Sequence, residues 1–153
     1  MDLVYAEKVD GPRQVHNHVE IGHCGPLDCT ALGKALLAAL PGPAQDELVA
    51  RLSIPSDLAA ELVTTRRRGY AVNEEEHEVG VRSVAVSVAA VGPCPPSAIC
   101  VTAPVFRRSR QDLHRCVPLL VESAEQIRRQ LLRETMSGVP DSAAPAELGV
   151  ADS

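Results

Sequence analysis

Val81-Arg82-Ser83-Val84-Ala85-Val86-Ser87-Val88-Ala89 decides the fold. Successive residues of a strand point to opposite faces of a sheet, so Val84, Val86 and Val88 share one face while Ser83, Ala85, Ser87 and Ala89 share the other. One side is bulky and the other small. Ala98 to Thr102 repeats the division, with Ile99 and Val101 on one face and Ala98, Cys100 and Thr102 on the other. A β-branched face wants helices packed on it. The opposite face lacks the Lys, Glu and Arg of a wetted surface. It therefore predicts a cavity covered by loops, with a tightly packed small-residue face as the alternative.

Reading outward from that strand, Tyr70 to Val72 is a second strand and Val81 runs to Val91, the two joined by the acidic loop Glu74-Glu75-Glu76-His77-Glu78. Ser56 is a good N-cap for a helix from Asp57 to Arg68, with Arg66, Arg67 and Arg68 complementing its dipole and Gly69 placed as the C-terminal glycine. Further upstream, Thr30 can cap a helix to Leu40, whose stripe of Leu32, Ala35, Leu36, Ala39 and Leu40 has helical spacing. Pro41-Gly42-Pro43 stops it, and a short helix around Gln45 to Arg51 follows. Leu3 to Lys8 reads as a strand ended by Asp10-Gly11-Pro12, and Arg13 to Cys29 reads as irregular. Downstream, Gly92 to Ser97 is a rigid turn, and Ala98 to Thr102 is ended by Pro104. One long amphipathic helix is expected from Ser109 or Arg110 to about Arg133, carried by Leu113, Cys116, Val117, Leu120, Ala124, Ile127 and Leu131. The expected organisation is a domain over 1–133 and a flexible tail over 134–153.

The chain has 153 residues, 45% of them hydrophobic, which suits one soluble domain with a real core. With two Tyr, one Phe and no Trp it offers no stacking platform for bases. A formal net charge of −5 is the wrong sign for binding phosphate backbones, so DNA binding by this piece alone is not expected. No apolar run approaches a membrane span and the N-terminus is not a signal peptide, which predicts a cytoplasmic protein. Five cysteines without paired spacing read as free thiols.

The chemistry-bearing residues cluster in two places. At the start of the Thr30-capped helix, the backbone amides near Ala31, Leu32 and Gly33 can hold a carboxylate without any side-chain charge. Gly33-Lys34 is not a phosphate loop, because Asp28 and Ala35 stand where that motif needs a glycine and a hydroxyl. His16, His18, His23, Cys24, Asp28 and Cys29 include metal-binding donors, but their spacing matches no zinc module and solvated histidines are the plainer reading. Neither a metal nor a cofactor is expected. Glu74 to Glu78 could supply acid and base groups, yet consecutive carboxylates in such a loop usually form a solvated edge, and no nucleophile elbow occurs. The expectation is a protein that is not an enzyme.

Pro26-Leu27 leading into Thr30-Ala31-Leu32-Gly33-Lys34-Ala35-Leu36-Leu37-Ala38, then Arg67-Arg68-Gly69-Tyr70-Ala71-Val72-Asn73-Glu74-Glu75-Glu76 and Gly80-Val81-Arg82-Ser83-Val84-Ala85, resemble the C-terminal effector-binding domain of the IclR family of bacterial transcriptional regulators. The resemblance covers nearly everything from Leu3 to Leu132. It implies a GAF-like α/β (α+β) domain: an antiparallel sheet with helices on one face and a loop-covered ligand pocket on the other. It also implies a small organic acid as effector, held by Ala31 and Leu32 at the helix start, by Asn73 and Ser83, and by Cys100 and Thr102 on the last strand. Asn73 stands where the family usually has an aspartate and Ser83 where a cysteine is common. Family members carry an N-terminal winged helix-turn-helix, a linker helix and a first strand, and this chain starts after all three. DNA binding is thus expected only through that N-terminal part, with a homodimer or homotetramer carrying the signal. The rival readings are a small hydrolase or metal enzyme built on the His/Cys-rich loop, and a dimerisation module without a ligand.

Overall fold

A three-stranded antiparallel sheet in the order β3-β4-β5 organises the domain, formed by β3 (Ala71–Glu74), β4 (Val81–Val88) and β5 (Ser97–Pro104). The computed structural model describes residues 2–11, 20–51 and 56–137. Before the sheet come β1 (Asp2–Val4), β2 (Cys24–Pro26), α1 (Ala31–Ala39), α2 (Gly42–Arg51) and α3 (Ser56–Arg68); after it come α4 (Arg110–His114) and α5 (Val117–Ser137). This is the α+β class that the patterning predicts.

The bulky face behaves as its residues dictate. Val84, Val86 and Val88 pack with Ala103, Leu113 of α4, and Leu120 and Ala124 of α5, and Val72, Ile99 and Val101 border them. The small face is covered differently from expectation. Ala71 and Ala85 meet Ala31 and Ala35 of α1, which touches all three strands, so helices lie on both faces and the small side is roofed by a helix as well as by loops. The cause is steric: alanine against alanine lets a helix backbone come close to a sheet, so a row of small residues seats a helix as readily as it leaves a hollow. The far side of α1 packs in turn through Leu37 and Ala38 against Leu58 and Leu62 of α3, with Leu3 and Leu27 closing the edge.

Several boundaries differ for identifiable reasons. The expected long C-terminal helix is two helices, α4 and α5, because Pro118 has no N–H and its ring excludes a continuous turn over the carbonyl four residues before it. α4 itself is fixed by a capping box in which Ser109 Oγ accepts from Asp112 N at 3.2 Å and Asp112 accepts from Ser109 N at 3.0 Å. β1 is shorter than Leu3 to Lys8, and it pairs with β2, which lies in the stretch read as irregular. Cys24-Gly25-Pro26 has no apolar alternation to announce a strand. α5 continues through Ser137, four residues past the expected domain end. Residues 138–153 of the expected tail, and His16 and His18, lie outside the described residues.

Candidate functional site

Asn73, Ser83 and Thr102 are direct partners across the three strands, and Ala71, Ala85 and Cys100 form the next row on the same face. Alternation alone puts these six on the side that α1 covers. At the opposite end of that face a cleft of about 270 Å³ is lined by Ala35, Ala38 and Ala39 of α1 together with Ser87 and Gly69. The second half of α1 therefore lies toward Ser87, and its first turn lies toward the row Asn73-Ser83-Thr102.

That first turn is locally determined. Thr30 caps α1: its Oγ1 accepts from Gly33 N at 3.0 Å and donates to Pro26 O at 2.7 Å, while Lys34 N donates to Thr30 O at 3.0 Å. The Gly33 amide, expected to face a ligand with its neighbours, is thus taken up by the cap. Gly33 has a steric task as well. A Cβ there would stand 2.3 Å from the Leu27 carbonyl oxygen, so only glycine lets the β2–α1 connection lie against the helix. The amides of Ala31 and Leu32 have no acceptor among the described residues. These two are the open donors of the helix start.

The polar row is similarly open. Ser83 is 6% exposed and its hydroxyl has no hydrogen-bond partner among the described residues. Asn73, also buried, accepts through Oδ1 from Glu76 N at 3.0 Å, which closes the turn after β3 and leaves its amide Nδ2 to donate. Thr102 Oγ1 sits 3.7 Å from Cys100 Sγ. Burial pushes the Cys100 thiol above its ordinary range, with Thr102 opposing, so it is a neutral thiol.

Tyr5, Cys29 and His77 complete the surroundings, and sequence reasoning missed Tyr5 altogether because the strand pattern around it carried no chemical signal. Its phenol is held above its usual pKa by burial and then by the nearby Cys100 and Cys29. It packs over Gly25, where an added Cβ would meet the Tyr5 ring and hydroxyl at 3.0 Å. Cys29 Sγ lies 3.7 Å from His77 Nδ1, tying the residue before the cap to the β3–β4 turn. The Cys29 thiol is raised by burial and by the carboxylates of Asp28 and Glu76.

Lys34, considered in the sequence only as part of a failed phosphate-loop motif, has a role that sequence reasoning missed. Its side chain has no exposed surface, and Nζ donates to Glu61 Oε1 at 3.0 Å and to the two Glu76 carboxylate oxygens at 2.8 and 2.7 Å. The ammonium thus binds α1 to α3 and to the acidic turn. A lysine set within the apolar run Ala31 to Ala39 was the available sign. Glu74 pairs with Arg82 and Arg110, each at 3.3 Å, beside a separate cleft of about 230 Å³ also lined by Glu61, Glu76 and His114. Among the described residues no three His, Cys, Asp or Glu side chains converge to hold a metal.

The model of the family described as "Bacterial transcriptional regulator IclR C-terminal" matches residues 1–129. The curated protein "Probable transcriptional regulator SauR" of Cupriavidus necator is 35% identical over 136 residues, covering 82% of this chain and 54% of that protein. The HTH-type transcriptional regulator KdgR of Dickeya chrysanthemi is 27% identical, over 84% of this chain and 46% of that one. The chain spans about half the length of these relatives. Among solved structures, the Thermotoga maritima IclR superposes with a TM-score of 0.75 at 29% identity, covering 84% of this chain and 56% of that one. The inducer-binding domain of an Acinetobacter PobR double mutant, in complex with 3-hydroxybenzoic acid, gives 0.68 at 25% identity, covering 83% and 81%. The fold, the Thr30-capped helix and these matches place the chain in the IclR family of bacterial transcriptional regulators, as its C-terminal domain.

Proposed function

We propose that this domain is an effector sensor: a small organic acid binds where the first turn of α1 meets the row Asn73-Ser83-Thr102, with Cys100 beside it. The observation that carries the reading is the Ser83 hydroxyl, which has no hydrogen-bond partner among the described residues and lies on the sheet face that α1 covers, the helix whose first-turn amides at Ala31 and Leu32 are also open. A ligand that hydrogen-bonds such a group gains about 0.5–1.5 kcal/mol. The amides supply the anion contact. The PobR domain, whose inducer-binding domain is seen with 3-hydroxybenzoic acid, supports a ligand role for this fold.

In the full-length regulator the effector alters the geometry of a homodimer or homotetramer and so the spacing of DNA-binding domains N-terminal to this one, in the cytoplasm. Such coupling requires the acid to bind one arrangement more tightly than the other. A thermal-shift screen of small carboxylates tests the reading. A binding acid stabilises the fold by an amount set by its concentration relative to Kd, about 2.7 kcal/mol at a hundredfold excess, and the melting temperature rises accordingly. Ser83→Leu or Thr102→Leu fills the space and removes the shift. A screen in which no acid stabilises the protein, or in which the filled variants respond like the parent, refutes it.

A further inference from the structure

We infer that the effector carries a single negative charge and one or more hydroxyl groups, a compact hydroxylated monocarboxylate in place of a dicarboxylate or a plain fatty acid; this rests on the sensor reading above. Charge sets the first limit. Among the described residues every cation near the site is engaged elsewhere. Lys34 Nζ is taken by Glu61 and Glu76. Arg66 donates to the carbonyls of Ala38 and Leu40 at the far end of α1. Arg68 donates to the Tyr70 carbonyl, and Arg82 lies on the opposite face with Glu74. The amides of Ala31 and Leu32 with the α1 dipole amount to about half a unit of positive charge, enough for one carboxylate.

A second carboxylate has no counter-charge, because the Lys34 ammonium is already shared between Glu61 and Glu76. Desolvating an unpaired anion there is expensive. The remaining groups are neutral and suited to hydroxyls: Ser83 Oγ, Thr102 Oγ1, the Asn73 Nδ2 donor and the neutral Tyr5 phenol. Size sets the last limit. α1 packs alanine on alanine against the adjacent row, which leaves little depth for a larger body.

Three acids of equal carbon count separate these demands. Titrating the protein calorimetrically with glycerate, propionate and malonate at matched ionic strength should show glycerate binding at least tenfold more tightly than either of the others. Ser83→Ala should weaken glycerate about tenfold and leave propionate unchanged, since it removes one hydrogen bond. Malonate binding as tightly as glycerate overturns the charge limit, and propionate doing so overturns the hydroxyl requirement. Either of those results leaves the sensor reading standing. If none of the three binds and the wider carboxylate screen is also silent, the sensor reading itself falls and this inference with it.

Discussion

The two faces of the sheet are cut from one strand and solve opposite problems. On one, Val84, Val86 and Val88 are closed off by Leu113, Leu120 and Ala124, with the Arg82–Glu74 ion pair at one end of the face. On the other, Ala85 seats α1 while Ser83, one pleat away, lies buried with an unused hydroxyl. The first face derives its stability chiefly from apolar burial. The second is held at its edges by polar anchors, the Thr30 cap and the Lys34 ion cluster, around a centre of small residues. One strand thus packs in two ways, by bulk on one side and by hydrogen bonds and charge around small side chains on the other.

The largest effect should come from breaking the anchor. In Glu61→Gln/Glu76→Gln the Lys34 ammonium keeps its buried position without a counter-charge, and the loss expected in urea denaturation is about 3–5 kcal/mol. Adding Lys34→Met to that pair should restore most of it. If the double variant is as stable as the parent, the ion cluster is not what holds α1 to the sheet.

The next prediction sets the faces against each other. Leu120→Ala on the valine side should cost about 2–4 kcal/mol and leave acid binding unchanged. Ser83→Ala on the small side should change stability by no more than about 1 kcal/mol, because the hydroxyl it removes has no hydrogen-bond partner among the described residues. A large loss from Ser83→Ala would mean that the small face contributes to stability as the bulky one does.

The smallest effect concerns α5, far from either question. The Arg128 and Arg129 guanidiniums hold the Glu125 carboxyl down at about 2. A folded-state pKa below the unfolded one contributes stability that is present above the ordinary carboxylate range and lost as pH falls toward 2. In Glu125→Gln the acid limb of a stability-against-pH curve should therefore be slightly flatter than in the parent. An unchanged curve would place the pair among exposed ion pairs that contribute nothing measurable.

The sheet faces were legible because strand alternation is a property of the chain alone, and Val84 and Ser83 announce opposite sides without reference to anything else. The Thr30 cap and the glycine after α3 were legible for the same reason: Gly69 adopts φ +82 and its N–H reaches Thr65 O at 2.9 Å, a local event. What escaped was long-range or masked by a stronger pattern. The apolar spacing from Leu113 to Leu131 hid the break that Pro118 forces. The roof over the small face depends on α1 crossing the sheet, which no window of sequence contains. Lys34 meets Glu61 and Glu76 across separations of 27 and 42 residues, so its neutralisation could not be read from its neighbours. At the site, Asn73 and Ser83 were placed by motif and strand position, whereas Tyr5 is brought in by the pairing of β1 with β2.

The ammonium of Lys34 has no exposed surface, while the carboxylates that hold it reach solvent. Helix α1, helix α3 and the turn that carries Glu76 are consequently pinned at one point, and separating any one of them from the others leaves a covered cation short of a counter-charge.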